Sequence, residues 1–429
     1  MQLQDIYQLF LKHPVVTTDS RNCPPNSLFF ALKGNAFNGN TYAHKAIEQG
    51  CSFAFVDEPK YTDDERIILV DDCLKVLQQL ANYHRKQFTG KVIGITGTNG
   101  KTTTKELLAA VLSKKYQTLY TQGNLNNHIG VPLTLLRLTN AHDIAVIEMG
   151  ANHCGEIKTL CEIAEPDFGI ITNVGKGHLE GFGSFDGVIQ TKGELYKAIQ
   201  VKNGIIFINH ENSYLQAISD GITKVEYGKS PELYVSGNAC NNSPYFSFEW
   251  RSSDNKKTQF VKTQLVGEYN LENILAAIAV GKYLDVGTTE INAAVNEYIP
   301  QNNRSQLKET EHNSLIIDAY NANPSSMEAS LMNFSHIQAT PKAVILGDML
   351  ELGTQSQEEH QKIIDVLNAA RFEKVFLIGT HFLSIENSFC TYPTTTDFIN
   401  YLQANPLFGY TILIKGSRGY KLEQVIDYL

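Results

Sequence analysis

Tryptophan occurs once in this 429-residue chain, and its seven cysteines (positions 23, 51, 73, 154, 161, 240 and 390) are scattered, with no CxxC pair. An odd, dispersed set supports neither a disulfide framework nor a zinc knuckle, and it fits a reducing compartment. No uncharged apolar run approaches the roughly 20 residues that a membrane helix needs. The opening MQLQDIYQLF lacks the basic stretch and long apolar core of a secretory signal. Positive charge is not in excess either. Lys and Arg number 36 against 45 Asp and Glu, a net charge of −9, which argues against non-specific nucleic-acid binding. What is present, 42% hydrophobic and 19% charged residues, describes a soluble globular protein rather than a disordered one, expected in the cytoplasm from its cysteines, and the length is that of about three domains.

The most informative segment is KVIGITGTNGKTTTK, Lys91–Lys105. An apolar run, Val92–Ile95, leads into a glycine-bracketed turn ending in Gly100-Lys101-Thr102, and a helical pattern follows. Glycines let backbone N–H groups approach an anion, and a helix N-terminus adds a positive dipole end. Lys101 is placed to reach terminal phosphates and the Thr102 hydroxyl to hold Mg²⁺. Ile95 stands where the first glycine of the general P-loop pattern belongs.

Residues 1–88 alternate short apolar strands (Ser27–Leu32, Ser52–Val56) with helical stretches such as Cys73–Phe88. From residue 89 to 301 the pattern is repeated strand and helix. Its strands are Val92–Ile95, Ile144–Ile147, Phe168–Ile171 and Ile205–Ile208, and its helices include Phe185–Ile199 and Asn270–Leu284. This order implies a mainly parallel sheet with ligands beyond the C-terminal strand ends. Alternation over Leu233–Val266 suggests an antiparallel extension. After a linker at Pro300–Asn303, a second α/β series fills 302–429. Its strands are Leu315–Ile317, Ala343–Leu346, Val375–Ile378 and Thr411–Ile414, and its helices lie near 324–334, 356–370 and 419–428. The expected fold is α/β in three domains, the last Rossmann-like.

Beyond the P-loop, Glu148 ends the strand AVIEMG, where a carboxylate beside the cradle can bind Mg²⁺ directly or through water. His178 follows another strand tip among Gly175, Gly177, Gly181 and Gly183; as a lone loop histidine it is equally a structural residue. Lys192 lies early in a helix and on position alone reads as a solvated lysine. Asn270 and Asn273 open a helix, with Asn270 readable as its cap. Arg304 follows the linker and Asp318 sits at a strand tip. A carboxylate there suits a ribose hydroxyl, and an arginine suits phosphate. Lys415-Gly416-Ser417-Arg418 is a basic turn suited to a carboxylate or phosphate, or simply a charged loop.

In order, GTNGKTTTK (97–105), GNLNNHIGVPLT (123–134), EMGANHCGEI (148–157), HLEGFGS (178–184), TKGELY (191–196), GEYNLENILAA (267–277), DAYNANPSSM (318–327), LGDMLELG (346–353) and KGSR (415–418) resemble the Mur ligase family, the ATP-dependent amide ligases of peptidoglycan synthesis. TTDSRNCPPNSLFFALKG (17–34) extends the resemblance to the N-terminus. Asn38 and Asn40 depart from it, standing where family members often carry Asp and His. The GNLNN loop, YNANPSSM and GDMLELG are similar to the member that adds D-alanyl-D-alanine, and the DNPR segment usual in the sibling that adds the third residue is absent.

The resemblance implies roles. Gly97, Thr98, Asn99, Gly100, Lys101, Thr102 and Thr103 hold ATP phosphates, with Mg²⁺ on Thr102. Glu148 and His178 hold a second Mg²⁺, supported by Lys192 as a carbamate formed with CO₂. Asn270 and Asn273 meet the nucleotide from the central domain, Arg304 and Asp318 from the C-terminal one. Ser20 and Arg21 lie near the uridine diphosphate end of UDP-MurNAc-tripeptide, and Asn126, Asn127, Lys415 and Arg418 contact substrate. The implied reaction joins D-Ala-D-Ala to that tripeptide through an acyl phosphate, in a monomeric enzyme. The alternatives are a sibling ligase or folylpolyglutamate synthase, a P-loop kinase, and a nucleotide binder without catalysis.

Overall fold

A computed structural model describes residues 1–242, 245–301 and 303–429, with only the backbone of Asn241 and Asn242. Asn302 of the expected linker and Ser243 and Pro244 of the expected extension lie outside the described residues. Three main sheets are present among the described residues. The first is parallel, in the order Val15–Thr17, Ser27–Phe30, Cys51–Val56, Ile67–Leu69. Helix Cys73–Gln87 starts at Asp72, whose side chain accepts the Lys75 N–H, a regular N-cap. The helix then ties this unit to the next. Arg85, 7% exposed, donates to the carbonyls of Ala164 and Glu165 and pairs with Asp167 at 3.0 Å. His84 Nε2 lies 2.9 Å from the Leu138 carbonyl.

The central sheet has nine strands among the described residues, ordered Asn255–Lys262, Phe246–Ser252, Val235–Asn242, Thr223–Gly228, Ile205–Asn209, Phe168–Ile171, Lys91–Thr96, Ile144–Glu148, Thr118–Tyr120. Only the pairings around Phe246–Ser252 are antiparallel, so the extension read from alternation over 233–266 is a meander on one edge. The strands beside the P-loop are covered on both faces. Val92, Ile93, Ile95, Ala145, Val146 and Ile147 are all 0% exposed, as a parallel sheet under two helix layers requires. One apolar cluster runs from the N-terminal unit along one face of this sheet into the C-terminal unit, and a second fills the other face.

The third sheet is ordered Gln306–Glu309, Ser314–Asp318, Thr411–Lys415, Lys342–Gly347, Lys374–Ile378, Cys390–Tyr392, with only the first strand antiparallel. One expected helix is corrected here. Residues 419–428 form two short 3₁₀ segments, Arg418–Tyr420 and Leu422–Tyr428, because Lys421 between them takes φ 49°, a left-handed conformation that no α-helix accommodates.

Candidate active site

The parallel register sets the site. Ile95 pairs with Glu148 and Thr96 with Ile171, so three strand tips end side by side. Off the first tip the chain turns through Gly97 (φ 145°) and Gly100 (φ 76°) into helix Lys101–Leu112. Both glycines are required. A Cβ on Gly97 would lie 2.0 Å from Thr172 Oγ1, and one on Gly100 2.4 Å from Asn273 Oδ1.

Lys101 folds over this turn, its Nζ donating to the carbonyls of Gly97 (2.7 Å) and Thr98 (2.9 Å). Burial pushes its pKa down to about 8; Glu148 opposes the shift and Arg304 adds to it. Thr102 donates to Glu148 Oε1 at 3.2 Å, and Asn126 Nδ2 donates to the same oxygen at 2.8 Å. Glu148 Oε2 is buried without a hydrogen-bond partner, 3.9 Å from Lys105 Nζ. An acceptor left open on a 1% exposed carboxylate is the chemistry that suits a cation.

A cavity of about 740 Å³ opens over the turn, between the central and C-terminal sheets. It gathers Thr98 to Thr103, Asn126, Asn127, Glu148, His178, Asn270, Asn273, Arg304, Asp318 and Lys415. Asn270 stands at the cap position, but its side chain makes no capping bond. It donates to the Val266 carbonyl at 2.9 Å and accepts from Asn273 Nδ2 at 3.1 Å. Asn273 in turn accepts from Thr104 Oγ1 at 3.1 Å. Arg304 lies on the Tyr320 ring, its guanidinium carbon 3.7 Å from the centroid, and its buried Nε has no hydrogen-bond partner. Lys415 is engaged by Asp318, which also accepts from Ser330 Oγ at 3.2 Å.

Lys192 is not the solvated residue its helix position suggests. It is 1% exposed, with Nζ 3.5 Å from the Ala151 carbonyl and 5.1 Å from the Phe182 ring centroid. Burial first, then the nearby Lys101 charge, hold its pKa well below the usual lysine value. It lies outside the cavity lining, as do Ser20, Arg21 and Arg418. Arg21 is exposed and forms a two-point pair with Asp19, at 2.9 and 2.8 Å. Arg418 Nη1 lies 3.5 Å from the Tyr320 hydroxyl. Asn38 and Asn40, the two departures, bond to Glu58 and Asp57 and to each other, so they order their own loop.

Sequence reasoning gave no role to three contacts that join the C-terminal unit to the P-loop side. Asn323 caps helix Pro324–His336 by accepting the Ser326 N–H, and its Nδ2 donates to Asn99 Oδ1 at 2.8 Å. Lys176 pairs with Glu359 at 2.7 Å. His178 Nδ1 lies 2.6 Å from Glu351 Oε2, and the imidazole holds that carboxyl below the usual range. The segments DAYNANPSSM and GDMLELG carry two of these residues, so the signal was visible without its meaning.

Fold and site together define a P-loop nucleotide-binding α/β protein whose cavity is shared by two sheet units. Three family descriptions match in chain order: "Mur ligase family, catalytic domain" over 14–85, "Mur ligase middle domain" over 95–281, and "Mur ligase, glutamate ligase domain" over 303–418. A UDP-N-acetylmuramoyl-tripeptide–D-alanyl-D-alanine ligase of Bacillus subtilis is 34% identical across 96% of this chain and 92% of its own. Among solved structures, MurF of Acinetobacter baumannii superposes with a TM-score of 0.89 at 29% identity, covering 99% of this chain and 98% of that one. MurF of Thermotoga maritima in complex with ADP gives 0.86 at 26% identity, covering 97% of each. The chain belongs to the Mur ligase family.

Proposed function

We propose that this protein is the ATP-dependent ligase that joins D-alanyl-D-alanine to UDP-MurNAc-tripeptide in peptidoglycan precursor synthesis. The observation that carries the reading is the meeting of Lys101, Thr102 and Glu148 with Arg304 and Asp318 in one cavity, in a chain similar over nearly its whole length to ligases of that name. No helix of the described residues is long and apolar enough to cross a membrane, which fits a cytoplasmic reaction on a soluble nucleotide-linked substrate.

The tripeptide carboxylate oxygen attacks the γ-phosphorus of ATP, the bond to the β-phosphate oxygen breaks, and ADP leaves. The amine of D-Ala-D-Ala then attacks the acyl phosphate, phosphate departs with the C–O electrons, and the amine loses a proton. The chain's contribution is orientation and charge. Lys101 exchanges its two loop carbonyls for phosphate oxygens, while the Thr98 and Asn99 N–H groups stay bonded to Asn173 and brace the turn. Arg304 and Asp318 hold the nucleotide from the other unit.

Among the described residues no three His, Cys, Asp or Glu side chains gather into a protein-only metal cage. Mg²⁺ typically uses one or two carboxylates, waters and substrate phosphates; Glu148 and the Thr102 hydroxyl fit that pattern, His178 would add a nitrogen donor beside them, and the bound ion would neutralise charge at the phosphates. Lys192 fits carbamylation. Its buried amine favours the neutral, nucleophilic form that adds CO₂, and the carbamate so formed would supply a carboxylate-like anion toward the cation.

The test is ADP release measured with UDP-MurNAc-tripeptide, with and without D-Ala-D-Ala, beside the sibling amino-acid substrates and folate. Turnover only with the tripeptide and dipeptide together, yielding the pentapeptide, is expected. Turnover with a single amino acid instead would overturn the assignment.

A further inference from the structure

The turn that carries His178 is gripped at two points by one residue of the other unit. Glu351 sets its carboxylate 2.6 Å from His178 Nδ1, and its carbonyl accepts the Glu180 N–H at 3.3 Å. Both His178 (φ 52°) and Glu351 (φ 63°) are non-glycine residues in the left-handed region, a conformation that persists only where the surroundings fix it. The surroundings of Glu351 do so. Asp348, 0% exposed, accepts from the His381 N–H (2.9 Å), the Phe382 N–H (3.0 Å) and the Tyr420 hydroxyl (2.7 Å). Next in the chain, Met349 N–H donates to His360 Nε2 at 3.0 Å, and Leu350 N–H to Ser417 Oγ at 2.9 Å. Three consecutive residues are thus pinned to helices and loops of the C-terminal unit, and the fourth is presented outward to His178.

Among the described residues no protein group hydrogen-bonds His178 Nε2. The carboxylate lies off the ring N–H direction, so Nδ1 has no aligned hydrogen-bond partner, and it is the carboxylate's charge, 2.6 Å away, that favours the proton on Nδ1 and leaves Nε2 as the bare lone pair. We propose that Glu351 is a positioning residue: it fixes the tautomer and ring orientation of His178, and because it belongs to the C-terminal unit, it makes the His178 donor ready only when that unit is seated on the central one. The proposal rests on the cation-holding role given to His178 above. Outer carboxylates of this kind are worth about 10- to 100-fold in metal affinity or activity.

The experiment uses the full chain, ADP, and Mn²⁺ as the probe cation, with E351A, E351Q and E351D beside the unchanged protein. Nitrogen-15 spectra of labelled histidine are expected to show the Nδ1–H form for His178 in the unchanged protein, and loss of that preference in E351A. Mn²⁺ affinity in the presence of ADP is expected to fall about tenfold in E351A and E351Q, with partial recovery in E351D. The maximal rate is expected to fall with it, while KM for the UDP substrate stays within about twofold. Unchanged Mn²⁺ affinity and tautomer in E351A would overturn the proposal, even if thermal stability dropped. Mn²⁺ binding that depends on Glu351 in a chain without ligase turnover would leave the positioning role standing and remove the ligase reading. Normal turnover in E351A would do the reverse.

Discussion

The P-loop turn and the Asp19–Arg21 loop were both singled out for anionic groups of substrate, and they are built in opposite ways. At the P-loop the cation is partly buried at the cavity floor, bonded to two carbonyls, and pushed down to about 8 by burial. At the other loop the cation is exposed, and its partner is a neighbour two residues away, which lowers Asp19 to about 2 through the Arg21 hydrogen bonds. The P-loop lysine is held by strand register and two glycines, so little is left to organise when phosphate arrives. The exposed arginine is held only by Asp19, and a remote diphosphate can recruit it without strain elsewhere. On the proposed assignment, preorganisation is concentrated where bonds would change and thin where the substrate would merely be anchored.

The largest expected effect breaks the P-loop side. Lys101→Ala should lower kcat on the order of 100- to 1000-fold with the fold intact, read by ADP release and by circular dichroism. The same variant tests the burial. A lysine whose folded pKa lies near 8 rather than 10.5 gives up its proton earlier in the folded chain, so the unchanged protein gains stability as pH rises through that interval. Lys101→Ala should lack that gain, and urea unfolding at both ends of the interval checks the sign. If the two proteins run parallel, the lysine is not desolvated.

A somewhat smaller loss is expected at Lys192→Ala, on the order of 10- to 100-fold in kcat, because the proposed carbamate that would orient the cation is removed. Acetate or formate should restore part of it, while Lys197→Ala stays active. Full activity of Lys192→Ala in CO₂-depleted buffer would remove the carbamate from the mechanism.

The smallest effect sharpens the exposed side. Arg21→Ala should raise KM for the UDP substrate roughly tenfold and leave kcat nearly unchanged, since contacts remote from the reacting carboxylate stabilise ground and transition states alike. In the same variant the Asp19 titration, followed by NMR, should return from about 2 toward 3.8. A depressed carboxylate contributes stability that is fully present above its ordinary pKa and is lost as pH falls through the lower one, so the small contribution of this exposed pair is present and flat with pH at neutral pH, and the variant loses it there. A changed kcat with constant KM would place Arg21 with the chemistry instead.

Much of this was legible in the chain. Short apolar runs marked the central strands, and period-3.6 spacing marked helices over Cys73–Phe88 and Asn270–Leu284, found at Cys73–Gln87 and Leu271–Tyr283, because burial on one face leaves a periodic trace. Lys101, Thr102 and Glu148 were readable because backbone geometry places strand tips and helix starts. Contacts between units were not. The Glu351–His178 and Asn323–Asn99 pairs join residues 173 and 224 positions apart, and no local pattern encodes which loops will face each other. Lys192 misled for the same reason: the side that closes over it belongs to other elements. The helix expected over 419–428 failed at Lys421, whose φ of 49° splits it into two short 3₁₀ segments.

The level strand tips act as a ruler. Each residue advances a strand by about 3.3 Å and alternates the face of its side chain. Deleting one residue from Ile144–Glu148 would therefore retract Glu148 from Thr102 and Asn126 and turn it toward the opposite helix layer. The meander on the far edge carries none of the residues assigned to the site, so a change of length there alters an outline rather than a measurement. Insertions and deletions among working relatives are accordingly expected at the turn of Phe246–Ser252 and Asn255–Lys262, and forbidden in the three strands that end at the cavity.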